Sequence, residues 1–123
     1  MDLFKRMYGE ALISFTEFQA YTLFVFTECS EDAEFSSIKA SFGLADQHYK
    51  EMTRICNHLA LWHAAKVESK HFRDWTIKER EEDVLVRSLL KATSVLMSSL
   101  LDVYGPWLRK GQGNDVETAP PKE

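Results

Sequence analysis

Residues 35–59, FSSIKASFGLADQHYKEMTRICNHL, decide the fold class. Phe35, Ile38, Phe42, Ala45, Tyr49, Met52, Cys56 and Leu59 recur at alternating spacings of three and four, which lines them along one stripe of an amphipathic α-helix. Two further ladders flank it: Phe4, Tyr8, Ala11, Phe15, Phe18, Thr22 and Val25 before it, and Val86, Leu89, Thr93, Leu96, Leu100, Val103 and Trp107 after it. Helices with such stripes hide them against one another. The pattern therefore predicts an all-α fold, a bundle of three long or four amphipathic helices with coiled-coil-like heptad packing.

Local signals set the expected boundaries. Asp2 can cap a helix from about Leu3 to about Thr27, after which Cys29-Ser30-Glu31-Asp32 offers turn chemistry, and Ser30 or Asp32 can start the second helix. Tyr21 to Phe26 would suit a short strand by residue type, but no partner strand exists elsewhere, so the helical reading holds. Thr76-Ile77-Lys78-Glu79 has the form of a capping box and opens a third helix near Ile77, with Glu79, Glu81, Glu82 and Asp83 on the favourable side of its dipole. Gly105-Pro106 is expected to end that helix at Tyr104. The domain thus spans residues 1–109. Residues 110–123, polar and rich in Gly and Pro, read as a disordered tail.

Length bears on shape. One helix over residues 31–72 would extend about 60 Å at 1.5 Å per residue, against a radius of gyration of about 14 Å for a compact domain of this size. Either the helix breaks near Ser41-Phe42-Gly43, giving a compact four-helix bundle, or it runs through and the protein is an elongated dimer; the broken form is the one expected first.

Composition narrows the function classes. The chain has 123 residues with 45% hydrophobic and 12% aromatic content, enough for one domain with a real core. A net charge of −4 supplies no electrostatic drive towards nucleic acid or an anionic bilayer. The two cysteines, Cys29 and Cys56, read as reduced thiols, the latter on the apolar ladder. Without a signal-peptide pattern at the N-terminus, and with Tyr21–Phe26 the longest apolar run, the expectation is a soluble cytoplasmic protein with no membrane span.

Candidate chemistry is sparse. Glu68-Ser69-Lys70-His71 has the Glu-x-x-His spacing of di-iron bundles but occurs once, on the most hydrophilic stretch of the chain. His58 and His63 diverge by about 140° on a helix and cannot chelate one ion together. A histidine held beside the core, near Trp62, is the simpler reading. Cys56-Asn57-His58 are consecutive, so their side chains point apart and form no triad. No glycine-rich phosphate loop occurs. The expectation is no enzyme, no metal and no cofactor.

The surplus of apolar side chains points elsewhere. Leu3, Met7, Leu12, Ile13, Leu23, Phe24 and Phe26 lie off the first ladder, and Leu85, Leu90, Val95, Met97 and Leu101 off the third. One seam cannot bury them all, which implies a homo- or hetero-oligomer or a protein partner. Phe24, Phe26, Phe72, Trp75 and Trp107 are the candidate partner-binding residues, although Phe72 and Trp75 would also serve as a staple folded under the turn between helices. The basic residues at 66–80, interleaved with Glu68, Asp74, Glu79, Glu81 and Glu82, read as a solvated corner. In its long heptad helices, the stretch 11–70 resembles the first two helices of the membrane-curving BAR module. That resemblance implies a dimeric membrane-associated scaffold with the corner at 66–80 as its membrane contact. The leading expectation is a non-enzymatic interaction, adaptor or assembly subunit. The alternatives are the BAR-like scaffold and a small metal-binding or hydrolytic helical protein using Glu68 and His71.

Overall fold

The computed structural model describes residues 2–29 and 34–118, with side chains described as far as Arg109. Three long helices account for almost all of it: α1 (Leu3–Cys29), α2 (Phe35–Val67) and α3 (Ile77–Thr118), with a single 3-10 turn at Phe72–Asp74 between the last two. No strand occurs among the described residues, so Tyr21–Phe26 is helical. Phe4 shares a core cluster with Leu59 and Val86, and Val25 shares another with Ile38 and Leu100. The chain therefore runs up, down and up.

Asp2 caps α1 as its position predicts, accepting a 2.9 Å hydrogen bond from the Phe4 amide. The turn residues expected to start the second helix, Ser30 and Asp32, lie outside the described residues. Glu34 stands at the start of α2 and makes no side-chain capping bond.

Two expected breaks are overridden. Gly43 lies inside α2, which continues unbroken for 33 residues, so of the two expected forms the bundle takes the one with three long helices, and the break at Gly43 is corrected. A glycine costs a helix about 1 kcal/mol relative to alanine. That is small beside the burial of Ile38 and Ala45 on either side and the stacking of Phe42 on Tyr104 at 3.9 Å. Gly105-Pro106, expected to end the third helix, lies within α3, whose backbone stays helical to Thr118 and so enters the stretch 110–118 read as tail. An interior proline costs about 3 kcal/mol. Here Tyr104 is buried just before it and Trp107, just after it, stacks on Phe35 at 4.8 Å, so both flanks are held. No glycine takes a positive φ, and Gly105 therefore does not act as a left-handed stop.

At 1.5 Å per residue the helices are about 40, 50 and 63 Å long. The ladders supply the core: Phe4, Ala11, Phe18, Thr22 and Val25 are buried on α1, and Ile38, Ala45, Met52, Cys56 and Leu59 on α2. On α3 the stripe drifts. Val86, Leu89, Thr93 and Leu100 are buried, but Val103 is exposed, and Met97 and Tyr104 are buried in its stead. A straight helix falls behind a seven-residue repeat by about 20° per heptad, which rotates the Leu89–Leu96–Val103 row outward and brings the Leu90–Met97–Tyr104 row in. The α1–α2 pairing is the most intimate of the three. Ala11 and Ala45, both fully buried, are small enough to let the two backbones approach.

Candidate functional site

The corner where α2 turns into α3 concentrates the buried polar chemistry. Thr76 and Glu79 form the predicted capping box: the Thr76 amide donates to Glu79 Oε1 at 2.8 Å, and the Glu79 amide donates to Thr76 Oγ1 at 3.1 Å. The Glu79 carboxylate also accepts from Lys70 Nζ at 2.9 Å, although only 3% of Glu79 is exposed. The Lys70 ammonium, with help from the Thr76 amide, holds the Glu79 carboxyl well below the usual carboxylate range, at about 2. Glu82, equally buried, pairs with Lys66 at 3.3 Å through one oxygen, while its Oε2 has no partner.

His63 is the inner histidine. It is 4% exposed, and its Nε2 lies 2.7 Å from the Glu79 carbonyl oxygen. A carbonyl only accepts, so Nε2 carries a proton and donates it. The aromatic neighbour is Trp75, met edge-on at 5.1 Å, rather than the expected Trp62, which packs on Phe4 and under Lys66. Sequence spacing could not show this, because Trp75 reaches back from beyond the turn. The Trp75 indole Nε1 is buried without a hydrogen-bond partner.

Beside His63 and Trp75, a cleft of about 460 Å³ opens between α2 and α3, with Ala60, Ala64, Val86 and Leu90 as apolar walls. The Asp83–Arg87 pair, 3.0 Å apart, stands at its margin.

The remaining candidate residues separate. Glu68 caps the end of α2 and His71 lies past it before the 3-10 turn, both exposed, so their Glu-x-x-His spacing is not on one helix. No cluster of three or more His, Cys, Asp or Glu side chains suited to a metal occurs among the described residues. His58 is exposed. Cys56 is buried against Met52, its Sγ 3.3 Å from Sδ, and burial pushes its thiol up to about 11, away from thiolate chemistry.

Among the partner-binding candidates, Phe24 and Phe72 are exposed, and Trp75 is half-buried against His63. Phe26 and Trp107 pack against the core cluster around Leu100. Phe72 packs against Trp75 at 4.9 Å and lies under the Arg80 guanidinium at 4.5 Å. Arg80 also donates to the Phe72 carbonyl oxygen at 3.1 Å, which fixes the turn.

The larger apolar surface lies where α1 and α3 run side by side. Leu12 and Leu23 on α1, and Leu85, Val95 and Val103 on α3, are exposed. Phe15 and Gln19 of α1 and Ser88, Lys91, Ala92, Val95, Leu96 and Ser99 of α3 line a shallow groove between them. The stretch Ile77–Arg109 is also long and apolar enough to cross a membrane by length and composition, and 28% of its apolar window is buried in the bundle. Arg87 and Lys91 interrupt the apolar run without outweighing it. Phe24 lies about 100° round α1 from Leu23, outside the groove. The groove is thus the feature that a list of large aromatics missed; its one off-ladder apolar signal was Val95, beside Phe15 and Leu96 of the ladders. No protein-family model, curated protein or solved structure matches the chain.

Proposed function

We propose that the chain is a non-enzymatic helical interaction subunit of the cytoplasm that self-associates through the groove face of α1 and α3. The observation that carries this reading is the exposure of Leu12, Leu23, Leu85, Val95 and Val103 on one side of the bundle. Exposed apolar side chains grouped along two neighbouring helices, here with Gln19 and Lys91 among them, form a surface suited to a second apolar face. The occupant is a second copy, and charge placement along α3 supports it. When two α3 helices pack antiparallel about Val95, Glu81 of each copy comes opposite Arg109 of the other, and Arg87, opposite Val103, falls one residue from Asp102. An isologous pairing needs such self-complementarity. Ser88, Ala92 and Ser99 are small and permit close approach, which suits heptad packing of the coiled-coil kind between the copies.

A second reading rests on the membrane-length apolar stretch of α3, which would place the same face on a bilayer. One pair of experiments separates the two. Mass by light scattering on the eluting peak should give a dimer, reduced to monomer by Val95→Asp with helicity unchanged. Flotation with acidic vesicles at low salt should leave the protein unbound. A wild-type monomer that floats with vesicles would replace self-association with the membrane reading.

A further inference from the structure

The third helix is longer than the bundle it belongs to. Cys29, at the end of α1, and Trp107 pack against the same core cluster, and Phe35, the first residue of α2, stacks on Trp107. The backbone of α3 nevertheless stays helical to Thr118, about eleven residues and about 16 Å beyond that level. The sequence of the projection includes Gly111, Gly113, Asn114 and Asp115, all poor helix formers. A short helix of such residues depends on a neighbour to hold it. At the opposite end of α3 the deficit is reversed, because Ile77 is 76% and Val84 59% exposed on a well-capped first turn and a half.

The two ends lie on one ridge. Five turns of an α-helix take about eighteen residues, so Ile77, Val95 and Gly113 fall on a single line along α3, with Val84, Ser88, Asp102 and Pro106 within about 20° of it. Ile77, Val84, Ser88, Val95, Asp102 and Pro106 are all exposed. Resting on the self-association proposed above, we infer that the projecting end of α3 in each copy docks on the first turns of α3 in the other. In an antiparallel pair centred on Val95, residues equidistant from Val95 meet, which sets Gly113 opposite Ile77 and Pro106 opposite Val84. Gly113 has no side chain, so Ile77 can reach the backbone it faces. Pro106 offers Val84 an apolar ring. Asp102 comes opposite Ser88 and can accept a hydrogen bond from its hydroxyl. The interface then runs over residues 77–113 of each copy, about 54 Å, where the groove takes up only 88–99 of α3.

The test is thiol cross-linking of the full chain by a short bis-maleimide, with Cys29→Ser in every variant and the wholly buried Cys56 left in place. Val95→Cys alone should link two copies, which reads the groove dimer itself. Ile77→Cys and Gly113→Cys, mixed by dilution and reconcentration so that copies exchange, should link to each other. Neither should link alone, because like positions lie about 54 Å apart in the antiparallel pair. A mixture that fails to link while Val95→Cys links would overturn the docked end and leave the groove dimer standing. Linking of Ile77→Cys to itself would mean a parallel pair, in which the two ends never meet, and would overturn it as well. If Val95→Cys also stays unlinked, the docked end falls together with the dimer.

Discussion

The seam between α1 and α2 and the groove between α1 and α3 share a helix and differ in almost everything else. In the seam, Ala11 and Ala45 are fully buried and Phe18 fills the space between the helices without exposure. In the groove, the small residues Ser88, Ala92 and Ser99 stand at the surface with exposed Leu23 and Val95 about them. Small residues close an interface only when something sits on them. The seam has its partner within the chain, and the groove is proposed to find one in a second copy.

The largest expected effect tests the closed side. Phe18→Ala should cost about 3–5 kcal/mol in urea unfolding, because the side chain is wholly buried and its cavity cannot collapse between two long helices. A loss under 1 kcal/mol would mean the seam is not packed as described. Next comes a matched pair, in which the same substitution is made on both sides. Ala45→Leu should destabilise by about 1–3 kcal/mol through overpacking, whereas Ala92→Leu in the monomer should change stability by no more than about 0.5 kcal/mol. Equal effects would erase the distinction between the two regions.

Smaller changes test the helix signals. Gly43→Ala should stabilise by about 1 kcal/mol, since a methyl there meets nothing within 4 Å. Thr76→Ala should cost about 1 kcal/mol by opening the capping box. The smallest effect is in acid. The Glu79 carboxyl sits at about 2 in the fold against an ordinary value of 4.5, so its contribution is complete above about pH 4.5 and fades as the pH falls towards 2. Asp2, lowered by its bond to Lys78, acts in the same direction. Glu79→Gln should therefore flatten the stability profile between those pH values, and an unchanged acid limb would remove Glu79 from the account.

The sequence disclosed what short-range chemistry decides. The Thr76–Glu79 box and the Asp2 cap need only neighbours in the chain, and the ladders name most of the buried residues because helical periodicity alone sets which side faces inward. Gly43 and Pro106 were misjudged because their effects are local costs offset by distant contacts. Phe42 on Tyr104 and Phe35 on Trp107 join residues some sixty to seventy positions apart, and no local rule sees such pairs. Val103 was misplaced for a different reason, since a strict heptad was extrapolated along a helix that drifts from it. The His63–Trp75 contact was hidden by the turn that folds Trp75 back.

The claim that the groove face joins two copies is tested most directly by the mass of the chain in solution, measured by light scattering across a dilution series. The account predicts a particle of about twice the chain mass of 14.2 kDa that dissociates on dilution and is monomeric throughout in Val95→Asp. A wild-type protein that remains at the single-chain mass at every concentration would contradict it.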